Sequence, residues 1–284
     1  MSQDLPVAVY TPDSLLASPA KLLREMFSDL AAGRELAWRL AVRDIKAQYR
    51  QTFLGFLWAF ILPLANTVTW VFLYKVGIVS VTTTVLPYSA YALSGAMLWA
   101  IFMDALNAPL QQMNAARPLL TKLNFPREAL ILSGIYQSLF NAAIRVGLVL
   151  VVLISMGIYP TWTLGLAPLS VLSLVLFGTA FGLFISPLGM LYGDVGRALP
   201  LLMQFMMYLT PVVFPAPKEG FASILFTINP LTPLIITARD WLTGQSSEFL
   251  SYFVFVNLLA VFLLILAGAA YRLAMPILVE RMNA

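Results

Sequence analysis

Arg43-Asp44-Ile45-Lys46-Ala47-Gln48-Tyr49-Arg50-Gln51-Thr52-Phe53-Leu54-Gly55-Phe56-Leu57-Trp58-Ala59-Phe60-Ile61-Leu62-Pro63 is the stretch on which the fold turns. Within it a charged segment gives way in two residues to a run without charge that ends at Lys75. The 22 residues from Phe53 to Tyr74 are long enough to cross about 30 Å of hydrocarbon. Arg43, Lys46 and Arg50 ahead of them suit anionic lipid headgroups, at about 1 kcal/mol each. The segment reads as a first membrane span with its basic flank, cytoplasm before it and bilayer after it.

Composition agrees. Of 284 residues 60% are hydrophobic and 11% charged, against about 25% charged in soluble domains, so the chain reads as an all-α integral membrane protein. It contains no cysteine and no histidine. That excludes disulfides and thiol chemistry and removes the commonest general base and metal ligand. The first 20 residues have neither basic residues nor an apolar run, so no secretory signal is expected there.

Working outward, residues 1–20 hold Pro6, Pro12 and Pro19 and read as a flexible or loosely docked tail. Residues 21–50 form a cytoplasmic interface helix. Leu23, Met26, Phe27, Leu30, Ala37, Leu40 and Ala41 recur at helical spacing opposite Arg24, Glu25, Asp29, Arg34 and Glu35. Such a helix can lie in the membrane interface or dock on a soluble partner, and Gly33 is expected to break or bend it.

Residues 51–284 carry six spans: Phe53–Tyr74, Leu86–Leu106, Ala129–Tyr159, Leu164–Leu191, Ala198–Phe214 and Phe249–Tyr271. Between the last two, Asn229, Pro230 and Pro233 interrupt an apolar segment. A lipid-facing helix broken there would leave unpaired backbone in hydrocarbon, so 215–248 reads as short re-entrant or gate helices. Thirteen basic residues fall on the side of the termini, while Lys75, Lys218 and Arg239 fall on the other, which makes both termini cytoplasmic.

No Gly-x-x-x-x-Gly-Lys-Ser/Thr phosphate loop and no paired-carboxylate motif occur, which disfavours both ATP binding of that kind and a membrane enzyme. The loop 111–128 combines Arg117 and Lys122 with Leu119, Leu120, Leu123 and Phe125. With Pro118 starting a short helix, it can expose apolar side chains to a motor subunit, or it can be an ordinary positive-inside hairpin. Gly178, Gly182, Ser186, Gly189 and Gly193 line one helix face with small residues, for a close neighbour in this chain or in a second copy. Asp104 and Arg145 are intramembrane charges. Counted along the spans, Arg145 lies near mid-membrane and Asp104 near the cytoplasmic end, so a direct pair needs a longer or shifted second span. Trp58, Trp99 and Phe102 lie deeper than the anchoring Trp and Tyr residues and can line a conduit for sugar rings or pack in the core.

Arg43-Asp44-Ile45-Lys46, Tyr49, Gln51-Thr52, Leu54-Gly55, Leu57-Trp58 and Pro63 resemble the signature of the type-2 ABC exporters of polysaccharides, the O-antigen, capsule and teichoic-acid permeases; Gln48 and Leu62 depart from it. Asn124-Phe125-Pro126-Arg127, Asp194-Val195-Gly196-Arg197, Thr210-Pro211-Val212 and Asn229-Pro230-Leu231 extend the likeness over nearly all the chain after residue 34. The resemblance implies a permease of the bacterial inner membrane, acting as a homodimer with two copies of a separate ABC ATPase that binds ATP and magnesium. This chain would have no catalytic residue, cofactor or metal of its own and no nucleic-acid partner. The substrate implied is a lipid-linked polysaccharide, with a drug or lipid as the alternative and a membrane enzyme on lipid-linked sugars as the less favoured one. Arg117, Leu119, Leu120, Lys122, Leu123 and Phe125 would couple to the ATPase, and Arg43, Lys46 and Arg50 would meet the lipid pyrophosphate. Asn229, Pro230 and Pro233 would belong to an outer gate.

Overall fold

The computed structural model describes residues 19–50, 57–79, 81, 84–120, 125–217 and 219–283. Among these the regular structure is helical throughout, with no strand. We number the helices α1 (Pro19–Arg50), α2 (Trp58–Lys75), α3 (Tyr88–Leu120), α4 (Glu128–Ser155), α5 (Ala167–Leu191), α6 (Gly193–Tyr208), α7 (Phe221–Ile228), α8 (Leu231–Thr243) and α9 (Leu250–Asn283). Among the described residues four helices are long and apolar enough to cross a membrane: α3, α4, α9, and α5 with the 3-10 turn before it; α7 and α8 would qualify only as a pair, bent by 78°. The protein is a multi-pass membrane protein. The tail 1–18 and residues 51–56, including Gly55, lie outside the described residues.

The central contact is α3 on α5, with α9 on the far side of α5 and α4 beside α3. Small residues explain the approach. A side chain at Gly178 would meet the Phe102 carbonyl at 2.8 Å and Ala105 Cβ at 2.9 Å, and one at Gly182 would meet Pro109 Cδ at 3.0 Å. The stripe read in the sequence therefore serves a neighbour in the same chain. Its last member does not belong to it, since Gly193 has nothing within 4 Å.

The expected second span Leu86–Leu106 is too short. Helix α3 runs on to Leu120 with Pro109 and Pro118 inside it, so Pro118 does not start a new helix. A proline forfeits one backbone hydrogen bond, but Pro109 gains contact with α5 at Gly182, and tertiary burial of Leu110, Met113, Ala116 and Leu120 carries the helix on. Gly33 likewise does not break α1, which is continuous from Pro19 to Arg50. A Cβ at Gly33 would stand 3.1 Å from Ala129 Cβ, so the glycine lets α1 lie close on α4. Buried Leu22, Met26, Ala37, Leu40 and Ala41 mark the seated face. The segment 198–214 is helical only to Tyr208 and ends in a turn over 209–214.

Two apolar cores result. The larger joins α3, α4, α5, α8 and α9, and the smaller gathers the C-terminal ends of α3, α5 and α9 with the start of α4 and Leu40 of α1. Arg117, Arg127 and Arg272 all sit near the smaller one. We refer to that end as the basic end.

Candidate functional site

Three groups of residues are brought together. The first is a cleft of about 440 Å³ between α2, α3 and α6, lined by Asn66, Thr69, Trp70, Trp99, Gln204 and Tyr208 among others. Aromatic faces beside amides and a hydroxyl form a surface that can stack on pyranose rings and bond their hydroxyls. Trp70 stands edge-on to Tyr208 (centroids 6.3 Å apart) and to Phe214 (5.1 Å), which fixes its plane. Of the predicted aromatics only Trp99 lines this cleft. Phe102 is buried against Phe177, 6.3 Å between centroids, and Trp58 is exposed at the start of α2. The reason is angular: on a helix Phe102 points about 60° away from Trp99, toward α5.

The second group lies at the end opposite the basic one. Asn229, at the bend between α7 and α8, donates through Nδ2 to the Leu209 carbonyl (2.9 Å) and to Thr210 Oγ1 (2.8 Å). Its Oδ1 accepts the Leu231 backbone N–H at 3.0 Å, an Asx turn that satisfies the first free N–H of α8. Pro230 takes the position just before the helix and Pro233 lies buried in its first turn, where a missing N–H removes no bond. Two short motifs of the sequence, Thr210-Pro211-Val212 and Asn229-Pro230-Leu231, thus meet in space. Arg239, counted in the sequence only as a charge on the sparse side, is buried here and bonded to the carbonyls of Pro211 and Val212. A lone arginine among Ile235, Ile236, Ala238 and Trp241 was the available signal.

The third group is at the basic end. Arg272 of α9 reaches Glu128 at 2.6 Å, Asp29 at 2.7 Å and Glu25 at 3.4 Å, tying α1, α4 and α9 together. It is the lone cation between Leu250 and Leu278, the same kind of signal as Arg239. Arg117 donates to the Met190 carbonyl at 2.6 Å, covering an open C-terminal carbonyl of α5. Leu120, read in the sequence as an exposed docking residue, is 4% exposed and belongs to the smaller core. The lengthening of α3 turns it inward. Phe125 is half-buried against the same core. The side chain of Leu119, with Lys122 and Leu123, lies outside the described residues. Arg43 pairs with its neighbour Asp44 at 2.7 Å, and Lys46 and Arg50 are exposed.

Between these groups Asp104 and Arg145 form an ion pair, Nη1–Oδ2 2.6 Å and Nη2–Oδ1 3.1 Å. Asn141 adds a bond to Oδ2 at 3.0 Å. The depth mismatch counted along the sequence disappears because α3 is longer than the span read there, so Asp104 falls near its middle.

Long apolar helices, a bent pair of short helices at one end and a polar–aromatic cleft define a membrane permease. The chain belongs to the ABC-2 type transporter family, whose profile matches residues 35–243. It is 28% identical over 218 residues to the O-antigen export system permease protein RfbA of Myxococcus xanthus, covering 76% of this chain and 81% of that protein. It is 27% identical over 241 residues to the protein of the same name in Klebsiella pneumoniae, covering 82% and 91%. The polysialic acid transport protein KpsM of Escherichia coli is 22% identical over 240 residues, covering 80% and 87%.

Proposed function

We propose that this chain is the membrane subunit of an ATP-driven exporter that moves a lipid-linked cell-surface polysaccharide, of the O-antigen kind, out of the cytoplasm. The observation that carries the reading is the cleft between α2, α3 and α6, where Trp70, Trp99 and Tyr208 stand beside Asn66, Thr69 and Gln204. Such a lining favours sliding contact with successive sugars over tight binding of one. The names of the relatives support the substrate class, and the polysialic acid transporter among them keeps capsule polymer as the second reading.

In this reading the chain crosses the bacterial inner membrane six times, with α2 and α6 as the two shorter spans and both termini cytoplasmic. The basic end faces the cytoplasm under the positive-inside rule. Helix α1 lies in the interface, with exposed Trp38 beside Arg34 and Arg39. Arg43, Lys46 and Arg50 attract the pyrophosphate of the carrier lipid. Two copies enclose the conduit, because the cleft of one chain is open to one side. ATP and magnesium are handled by two copies of a partner ATPase that docks near α1, Arg117 and residues 119–125.

The test is ATP turnover by the reconstituted complex of this chain with its ATPase. Lipid-linked glycan should stimulate turnover several-fold, and Trp99→Ala with Trp70→Ala should abolish the stimulation while leaving the basal rate. Stimulation by small hydrophobic drugs alone, or processing of lipid-linked sugar by this chain without the ATPase, would overturn the reading.

A further inference from the structure

Arg239 is 3% exposed on α8. Among the described residues no carboxylate lies within ion-pair distance of it. The carboxylate of Asp240, the next residue on α8, acts on it from beyond that distance, and the direct contacts are with dipoles and a ring. Nη2 donates to the carbonyls of Pro211 (2.8 Å) and Val212 (2.7 Å), Nε donates to Ser94 Oγ (3.3 Å), and Cζ stands 3.7 Å from the centre of the Tyr91 ring. The Tyr91 hydroxyl donates to the carbonyls of Pro211 and Phe214, each at 3.3 Å. One guanidinium thus joins α3, α8 and the turn that ends α6.

Gly95 makes the arrangement possible, since a Cβ there would collide with the Val212 carbonyl and with Arg239 Nη2. The kind of acceptor matters as much as the number. A carboxylate parted from a buried arginine is left as an uncompensated ion, which resists separation. Carbonyls hold the fork by partial charges and can turn to water when it withdraws. Parting these contacts leaves one buried ion rather than two.

We propose that Arg239 is a positioning residue that latches the turn 209–214 against α3 and α8, holding the outer end of α6 shut until export draws it away. The role in export rests on the function proposed above; the latch itself does not. Hydrogen exchange on the full chain, reconstituted with its ATPase and without nucleotide, tests it. Arg239→Gln and Arg239→Lys should raise exchange of the amides in 209–214 at least tenfold and leave the first turns of α4 unchanged. Gly95→Ala, which crowds the latch and keeps the charge, should do the same. In export assays these variants should lower kcat at least fivefold with the KM for ATP unmoved. Unchanged exchange in 209–214 in both Arg239→Gln and Gly95→Ala, or a rise spread evenly over all helices, would overturn the latch. The exchange measurement needs no substrate, so it judges the latch even where no glycan moves and the exporter reading fails.

Discussion

The Asp104–Arg145 pair permits a prediction with a worked magnitude. Asp104 accepts three hydrogen bonds, two from Arg145 and one from Asn141, and Arg145 has one further acceptor in the Ala100 carbonyl at 3.2 Å. Asp104→Asn leaves the guanidinium with neutral acceptors, and Arg145→Gln leaves a carboxylate held mainly by Asn141. Removing one partner of a buried pair costs about 3–5 kcal/mol. The side chains here keep 28% and 13% of their exposure, so each single variant should lose less, about 2–3 kcal/mol. The charge reversal Asp104→Arg with Arg145→Asp restores the attraction, and Asn141 can rotate its amide to present Oδ1 to the new guanidinium. The Ala100 carbonyl would then face a carboxylate, so recovery should reach about half of the loss. A double-mutant cycle on thermal unfolding in lipid nanodiscs reads the coupling. Neutral hydrogen bonds between membrane helices average about 0.6 kcal/mol, so an ionic contact should give more than about 1 kcal/mol. A coupling below about 0.6 kcal/mol, or a reversal no more stable than the sum of the singles, would refute the reasoning.

Two other variants probe the helix contacts. Gly182→Ala should cost about 1–3 kcal/mol by forcing α5 away from α3, while Gly147→Ala, with nothing within 4 Å, should be neutral or stabilising by up to about 1 kcal/mol; equal melting temperatures would remove the close-approach argument. Arg272→Met should cost about 3–5 kcal/mol because three carboxylates lose their cation, whereas Glu25→Gln, the most distant and partly exposed partner, should cost under about 1 kcal/mol. Similar losses in the two would show that Arg272 does not organise the cluster.

The sequence was most legible where a single chemical rule governs. Uncharged length announced the membrane class, and Asn229-Pro230 with Pro233 announced a broken helix, because proline's missing donor acts locally. It was least legible where burial overrides local signals. Pro118 and Gly33 looked like breaks, and both lie in continuous helices, since contacts from α5, α4 and the smaller core outweigh a local preference of about 1–3 kcal/mol. That same extension of α3 moved Leu120 from a presumed docking surface into the interior and brought Asp104 level with Arg145. Trp99 and Phe102 could not be told apart without the helix phase set by Gly178. Arg239 and Arg272 were visible as the lone cations of apolar stretches, but their partners are 27 to 247 residues away, a pairing that periodicity does not encode.

The length of α3 has a mechanical consequence. Its 33 residues extend about 50 Å at 1.5 Å per residue, well beyond the roughly 30 Å of the hydrocarbon layer. The tight crossing with α5 at Leu106 acts as a fulcrum. From there about 21 Å of rod reaches Leu120, and about 18 Å reaches Ser94 beside the Arg239 latch. With arms so nearly equal, a sideways displacement of about 2 Å at the basic end is matched by about 1.7 Å of opposite sense beside Ser94 when the helix turns as one piece, and Pro109, inside the longer arm, is where such a rod gives first.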